Sequence, residues 1–375
     1  MMTLQPSTKN CPPRGGTVSS PGCLARPAIL ALLLLGLAPG GVGVGRAGEA
    51  DADVQKLRAE VAGKGWLLFS AKTEGGDYDL FLSRPDGSEK RNLTQTPGTN
   101  EFGGRFSPDG KRMLYRRMAK PSVVGRHGAI NHDSWGSAGE LVIANADGSN
   151  PQAQGGDGEF PWACWSPDGK QISCLYKREG KIRIFDLDSK KLVKDMPRQG
   201  IFQQLFWSGD GTRFCGTANL DGRDWNILSM DIESGKIVQV SRNLACTPDW
   251  FQGDPSRVVY SCRTPGVGGD YGATVLMQGT ADGKSRSLIY GQTGRHIYYG
   301  CTSPDDKDVV FAVPETDGGT DAEMVVMRLA DAPIVVPADF KALLELYPSA
   351  KTGPVLHLGQ PGFEPHWTYV EVGGK

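Results

Sequence analysis

The sequence predicts an all-β fold, a six-bladed β-propeller of four-stranded blades closed by the C-terminal strand joining the first blade. Three observations carry that expectation. The first is a hairpin stretch, Phe160 to Lys170, in which an apolar run enters Ser166-Pro167-Asp168-Gly169 and leaves into a second apolar run, Gln171 to Tyr176. Pro167 presets φ, Asp168 bonds the backbone ahead of it, and Gly169 accepts the left-handed conformation that closes a turn. The second is that imperfect copies of this stretch recur along the chain at a period of roughly 40–60 residues, the spacing of a repeat architecture. The third is that the two ends complement each other. The chain opens on a second-type strand, Trp66 to Ser70, and closes on a first-type strand, Phe363 to Tyr369, that lacks its turn.

Taken in order, residues 1–47 read as a signal peptide. Lys9, Arg14 and Arg26 precede an apolar core from Ala28 to Ala38, and small residues around Gly45 and Ala47 suit cleavage near Ala47. The apolar run is too short to span a bilayer, and a retained anchor is the alternative. Removal takes four basic residues and no acidic one, moving the formal charge from −1 to −5. A mildly acidic mature chain offers no electrostatic attraction for nucleic acid or an anionic membrane. Six of the eight cysteines remain, permitting disulfides in an oxidising compartment. With Pro167 and Asp168 as the turn centre, Cys164 faces Gln171, or Ile172 with a bulge, and never Cys174, so buried free thiols are the expected state for most of them.

Residues 48–64 form a short N-terminal helix and linker, with Val54, Leu57 and Val61 on one helical face. From residue 65 to 375 the pattern is strand and turn. The 51 glycines and 25 prolines fit an all-β chain with many tight turns. Inner hairpins turn at Ser107-Pro108-Asp109-Gly110, Ser166-Pro167-Asp168-Gly169, Ser208-Gly209-Asp210-Gly211, Gln252-Gly253-Asp254 and Ser303-Pro304-Asp305. Outer hairpins end at Asp86-Gly87, Asp147-Gly148, Asp188-Ser189, Ser234-Gly235, Asp282-Gly283 and near Asp331, which makes six copies. The last strand is expected to complete the first blade as its innermost strand, leaving few open edges.

The copies Phe106-Ser-Pro-Asp-Gly-Lys, Trp165-Ser-Pro-Asp-Gly-Lys and Thr302-Ser-Pro-Asp, each followed by an apolar strand, resemble the WD-like repeat of the TolB-type six-bladed propeller family. The resemblance covers about residues 65–373. It implies an exported propeller that uses its disc as a docking surface. TolB itself carries an N-terminal α/β domain before its propeller, and here only about eighteen residues separate the expected cleavage site from the first strand.

Function is sought where copies differ. A long insertion in the second blade, Met118 to Gly139, holds Pro121, Arg126, His127, His132, Asp133 and Trp135. Two histidines five apart beside an aspartate can bind metal, but the spacing is not helical and no third strong ligand is evident. Counting two residues back from each inner turn serine, or its equivalent, gives Arg105, Cys164, Phe206, Asp249, Cys301 and His366. Counting four back gives Gly103, Trp162, Gln204, Thr247, Tyr299 and Glu364. Arg105, Asp249, Glu364 and His366 are therefore candidates for the central channel, with Arg295 and His296 just upstream of another inner strand, unless they pair with each other between blades. Trp165, Trp207, Trp250 and Trp367 recur at one repeat position and read as blade-packing core rather than a sugar platform.

Catalytic signatures are missing. There is no Gly-x-Ser-x-Gly elbow, and oligogalacturonate lyases, which resemble this repeat, use several histidines around a metal where this chain has only His127, His132, His296, His357 and His366. The sequence thus leads to a non-enzymatic, monomeric, periplasmic or otherwise exported propeller that binds a protein partner in the cell envelope, with no cofactor and no metal. The alternatives are a polysaccharide-active lyase or hydrolase, and a glycan- or small-molecule-binding module using the channel mouth.

Overall fold

The structure, a computed structural model, describes residues 44–119, 136–220, 222, 224–241, 244–264, 273–292, 295–330, 334–336 and 353–373. Helix α1 (Val44–Val61) precedes six antiparallel sheets. The first contains β1 (Trp66–Lys72), β2 (Tyr78–Ser83) and β3 (Arg91–Asn92); the second β4 (Thr99–Phe106), β5 (Arg112–Ala119), β6 (Glu140–Asn145) and β7 (Gln152–Ala153). The third contains β8 (Cys164–Trp165), β9 (Gln171–Tyr176), β10 (Lys181–Asp186) and β11 (Leu192–Pro197); the fourth β12 (Ile201–Trp207), β13 (Arg213–Ala218), β14 (Asn226–Asp231) and β15 (Ile237–Ser241). The fifth contains β16 (Ala245–Trp250), β17 (Arg257–Thr264), β18 (Ala273–Thr280) and β19 (Arg286–Tyr290), with β20 (Tyr298–Thr302), β21 (Asp308–Pro314) and β22 (Ala322–Arg328) beginning the sixth. After β22 the chain adds β23 (Ile334–Val335) to the outer edge of the fifth blade before β24 (Val355–Pro361) completes the sixth. That fifth strand, which the repeat pattern does not announce, covers an edge that would otherwise stay open.

Closure is as the two ends predict. Strand β25 (Phe363–Thr368) pairs with β1, setting Trp66 opposite Thr368, Leu67 opposite Trp367 and Leu68 opposite His366. Beyond it, Arg84 pairs with Glu371 at 3.0 Å, and the Tyr369 hydroxyl donates to Asp305 at 2.6 Å. The apolar faces of neighbouring blades meet in separate clusters, such as Leu68, Leu80, Phe106 and Tyr115 between the first two. Helix α1 plugs into one of these, placing Leu57 and Val61 against Leu67, Leu356 and Trp367. It begins earlier than its apolar spacing suggests and runs through Ala47.

The inner turns share one side-chain device. Ser166 Oγ donates to Asp168 Oδ1 (2.6 Å), the Lys170 N–H donates to the same oxygen (3.0 Å), and the Gln171 N–H donates to Ser166 Oγ (2.9 Å). The same three bonds recur from Ser107, Ser208 and Ser303. The loop is four residues long, because Ser166 pairs with Gln171 and Gly169 bonds back to Ser166. Cys164 consequently sits opposite Ser173, two residues beyond Gln171 and one beyond the bulged alternative Ile172, and still not opposite Cys174. The six cysteines from Cys164 to Cys301 are free thiols, five buried and Cys164 half-buried. Serine and N–H donors hold Asp168 and Asp109 below the usual carboxylate range. A lowered folded-state pKa gives stability above the unfolded value that is lost on acidification. Ser166→Ala, removing one donor and one acceptor of the motif, is expected to lower the unfolding free energy by about 1 kcal/mol, read as a shift in the urea midpoint.

Three of the four recurring tryptophans staple one element to another through their indole N–H. The Trp165 indole donates to the Arg105 carbonyl of the preceding blade (3.2 Å), and Trp250 donates to that of Phe206 (3.0 Å). Trp367 donates to Lys64 O at 2.7 Å, whereas Trp207 donates to Gly211 O at 3.0 Å within its own blade.

Candidate functional site

The inner strands converge on an axial funnel of about 380 Å³ at the end where the Ser-Pro-Asp turns lie. Every blade contributes to it: His366 to Val370 from the first, Arg105 to Pro108 from the second, Cys164 to Pro167 from the third, Phe206 and Trp207 from the fourth, Asp249 to Gln252 from the fifth and Pro304 from the sixth. Behind it a cavity of about 50 Å³ is lined by Gly103, Arg105, Arg116, Trp162, Gln204 and Glu364 among others.

A repeated backbone device aims these residues. Gly103, Trp162, Gln204, Thr247, Tyr299 and Glu364 all have positive φ, between 48° and 64°. In five of the six inner strands the register slips at this position, marking a β-bulge. A bulge re-aims the residues after it, and left-handed backbone at a non-glycine residue costs of order 1–3 kcal/mol. Side chains and neighbours hold the strained positions: Gln204 Oε1 accepts from Thr217 (2.6 Å), Thr247 shares a hydrogen with Ser261 (2.7 Å), and Glu364 Oε2 accepts the Gly103 N–H (3.0 Å). The sequence carried a faint signal for this, since Gly103 occupies the position in one copy and Gly104, Pro248, Gly300 and Pro365 follow it in four.

Two residues past each bulge, a ring closes the funnel floor. Arg105 Nη1 and Asp249 Oδ2 meet at 2.5 Å, joining the second and fifth blades, which stand three apart in a ring of six. The guanidinium also lies over the Phe206 ring, 4.2 Å from its centroid. Burial opposes the Arg105 charge and Asp249 more than offsets it, so the guanidinium stays protonated. Asp249 Oδ1 is held by the Trp250 N–H at 2.8 Å. His366 Nδ1 accepts the Phe106 N–H at 3.1 Å, and burial together with Arg105 pushes its pKa well below the usual imidazole value. Cys164 and Cys301 complete the ring; burial lifts their thiols to about 11 and about 12, which keeps them protonated and unreactive at neutral pH.

Arg105, Asp249, His366 and, one layer deeper, Glu364 are thus brought together on the axis. Arg295 and His296 are not. Arg295 pairs with Glu315 (3.2 Å), and His296 stacks on Tyr298 with its Nδ1 3.9 Å from Asp317, a carboxylate already gripped by Arg263 at 2.8 and 3.1 Å. That group belongs to the loops before β20 and after β21, so the upstream position of Arg295 and His296 leads away from the funnel. His127, His132, Asp133 and Trp135 lie outside the described residues.

Sequence reasoning overlooked Arg116. It lines the small cavity and is buried, donating to the carbonyls of Ala138, Gly139 and Phe160. Burial lowers its pKa to about 10. It ties the base of the Met118–Gly139 insertion to the third blade. A larger cleft, about 620 Å³, lies off the axis between the fifth and sixth blades, where Arg257 is bonded to Gln278, and Arg328 to Asp308 and Glu60. Among the described residues no group of three or more His, Cys, Asp or Glu is placed to hold a metal ion, and no helix is long and apolar enough to cross a membrane.

These features define the class, a six-bladed β-propeller closed by its C-terminal strand around a polar-floored funnel. Within that class two of the similar solved structures are TolB proteins. TolB from Acinetobacter baumannii superposes with a TM-score of 0.57 at 15% identity, over 87% of this chain and 74% of that one. A putative TolB from Agrobacterium tumefaciens gives 0.51 at 18% identity, over 79% and 89%. A chain of a nidogen/laminin complex gives 0.50 at 12% identity, over 71% and 90%. At these identities the likeness establishes the shared propeller fold, the level at which the TolB resemblance of the repeats is met. No family model and no curated protein matches the sequence.

Proposed function

We propose that this chain is an exported, non-enzymatic propeller that binds a protein partner in the cell envelope through the funnel at its Ser-Pro-Asp face. The observation that carries the reading is that the polar ring satisfies itself. Arg105 is paired with Asp249, His366 Nδ1 is occupied by a backbone N–H, and both thiols are held protonated. A general acid or base needs a group free to exchange protons near the operating pH, and this floor is instead a fixed, buried closure. The walls suit docking. Pro108, Gly209 and Val370 are exposed at the rim, with Pro167, Pro304 and several aromatic rings lining the slope. A concave, largely apolar surface with a few fixed polar groups is the common form of a recognition site.

The rim gives the test. Affinity capture of cross-linked complexes from native envelopes is expected to recover one specific adduct with the wild-type chain, to lose it with Val370→Asp or Pro108→Asp, and to keep it with Trp225→Asp, which alters an exposed residue outside the funnel lining. Recovery unchanged by both rim substitutions would remove the funnel from the reading.

A further inference from the structure

Away from the funnel, two acids meet between the first and second blades. Asp79 on β2 is 4% exposed and Glu101 on β4 is 0% exposed, and their carboxyls stand within hydrogen-bonding reach of each other. Residues 93–98, which join β3 to β4, and Thr99 at the start of β4 supply hydroxyls to the pair: Thr96 and Thr99 both contact Glu101 Oε1, and Thr94 lies 3.4 Å from Oε2. The Thr99 hydroxyl is 2.8 Å from that carboxyl and 2.8 Å from the Thr96 carbonyl, so its single hydrogen faces two acceptors. Asp79 Oδ2 accepts from the Asn92 amide, while its Oδ1 is buried without a hydrogen-bond partner. From β5, Arg117 stands opposite Glu101 in register but turns to Glu140 at 2.9 Å, and Tyr115 presents a phenol whose pKa burial and the Glu101 charge raise to about 12. The acceptors outnumber the hydrogens, and two ionised carboxylates out of water repel strongly. One proton between them resolves both difficulties.

We propose that Asp79 and Glu101 form a proton-shared latch that holds the connection between the first two blades closed below neutral pH and loosens it above. Burial first, and then the Asp79 hydrogen bond and charge, push Glu101 up to about 7 against the downward pull of Thr96 and Thr99. A folded-state pKa above the unfolded value means that the stabilisation is complete below about 4.5 and is lost as pH rises through about 7. Above it, the Glu101 anion competes with Glu140 for Arg117. That pair bridges the two ends of the 118–139 insertion, so loosening reaches its base.

The experiment is urea denaturation of the full chain from pH 5 to 8. The wild-type unfolding constant is expected to rise with pH, by up to about 70-fold between pH 5 and 8 for a shift from 4.5 to about 7. Glu101→Gln, whose amide N–H stands in for the carboxyl O–H as a donor but has no proton to lose, is expected to lack this rise and to exceed the wild type in stability at pH 8. In the wild type alone, hydrogen exchange over residues 92–101, corrected for intrinsic rate, is expected to speed up above pH 7 while β13 and β17 stay protected. A wild-type curve without the rise, or the same rise in Glu101→Gln, overturns the proposal. So does a rise abolished by 5 mM calcium chloride in the wild type, since the pair would then be a cation site.

Discussion

A chain cut after Gly362 is expected to lose its fold entirely. The cut removes β25, the innermost strand of the first blade, and with it the ladder that sets Trp66, Leu67 and Leu68 against Thr368, Trp367 and His366. Phe363 and Trp367 are 1% and 0% exposed, and burying each such side chain contributes about 1.5–3 kcal/mol before packing is counted. The remaining β1 becomes an open, apolar inner edge, a template for aggregation rather than a stable terminus. Helix α1 loses its footing too, because Leu57 and Val61 pack in the cluster that contains Trp367. Circular dichroism and size-exclusion chromatography should show an aggregated or unfolded product. A monomeric, cooperatively unfolding truncated chain would mean that the ring is held without this strand.

Breaking the axial pair is the second large effect. Asp249→Ala leaves the Arg105 charge without its carboxylate, in a site where the side chains are 17% and 15% exposed. Removing one partner of a buried ion pair costs about 3–5 kcal/mol because the other charge stays buried. Replacing both, as Arg105→Met with Asp249→Leu, is expected to restore most of the loss, since apolar residues of similar volume satisfy the same space without desolvation. The urea midpoints of the two single variants and the double variant form a cycle that measures the coupling. If Asp249→Ala shifts the midpoint negligibly, the pair is not the closure that the funnel floor requires.

The repeat was legible because its signal is local. Ser-Pro-Asp-Gly turns fix hairpins by chemistry within five residues, and six outer copies with complementary ends leave few architectures other than a closed ring. The register at Cys164 differs by two from the Gln171 expectation because the Ser166–Asp168 bond belongs to a loop of four residues instead of two. Arg105 and Asp249 were found as equivalent positions in different blades, but their pairing across the axis depends on the bulges at Gly103 and Thr247, whose positive φ leaves only a trace in composition. Asp79 and Glu101 gave no signal. Each stands in an ordinary strand, and only the docking of one blade on the next brings them together. Arg295 and His296 stand close to the channel residues in sequence, yet they precede the start of inner strand β20 and do not line the funnel, meeting Glu315 and Asp317 instead.

The central claim is that the funnel face, closed by a self-satisfied ring, is where this chain meets its partner. Site-specific photo-crosslinking in intact cells tests it most directly. A crosslinker at Gly209 or Pro108, both exposed on the funnel lining, is predicted to give one discrete adduct, and one at Trp225 or Leu220, exposed outside it, is predicted to give none. Adducts from Trp225 and Leu220, with none from Gly209 and Pro108, would contradict the account.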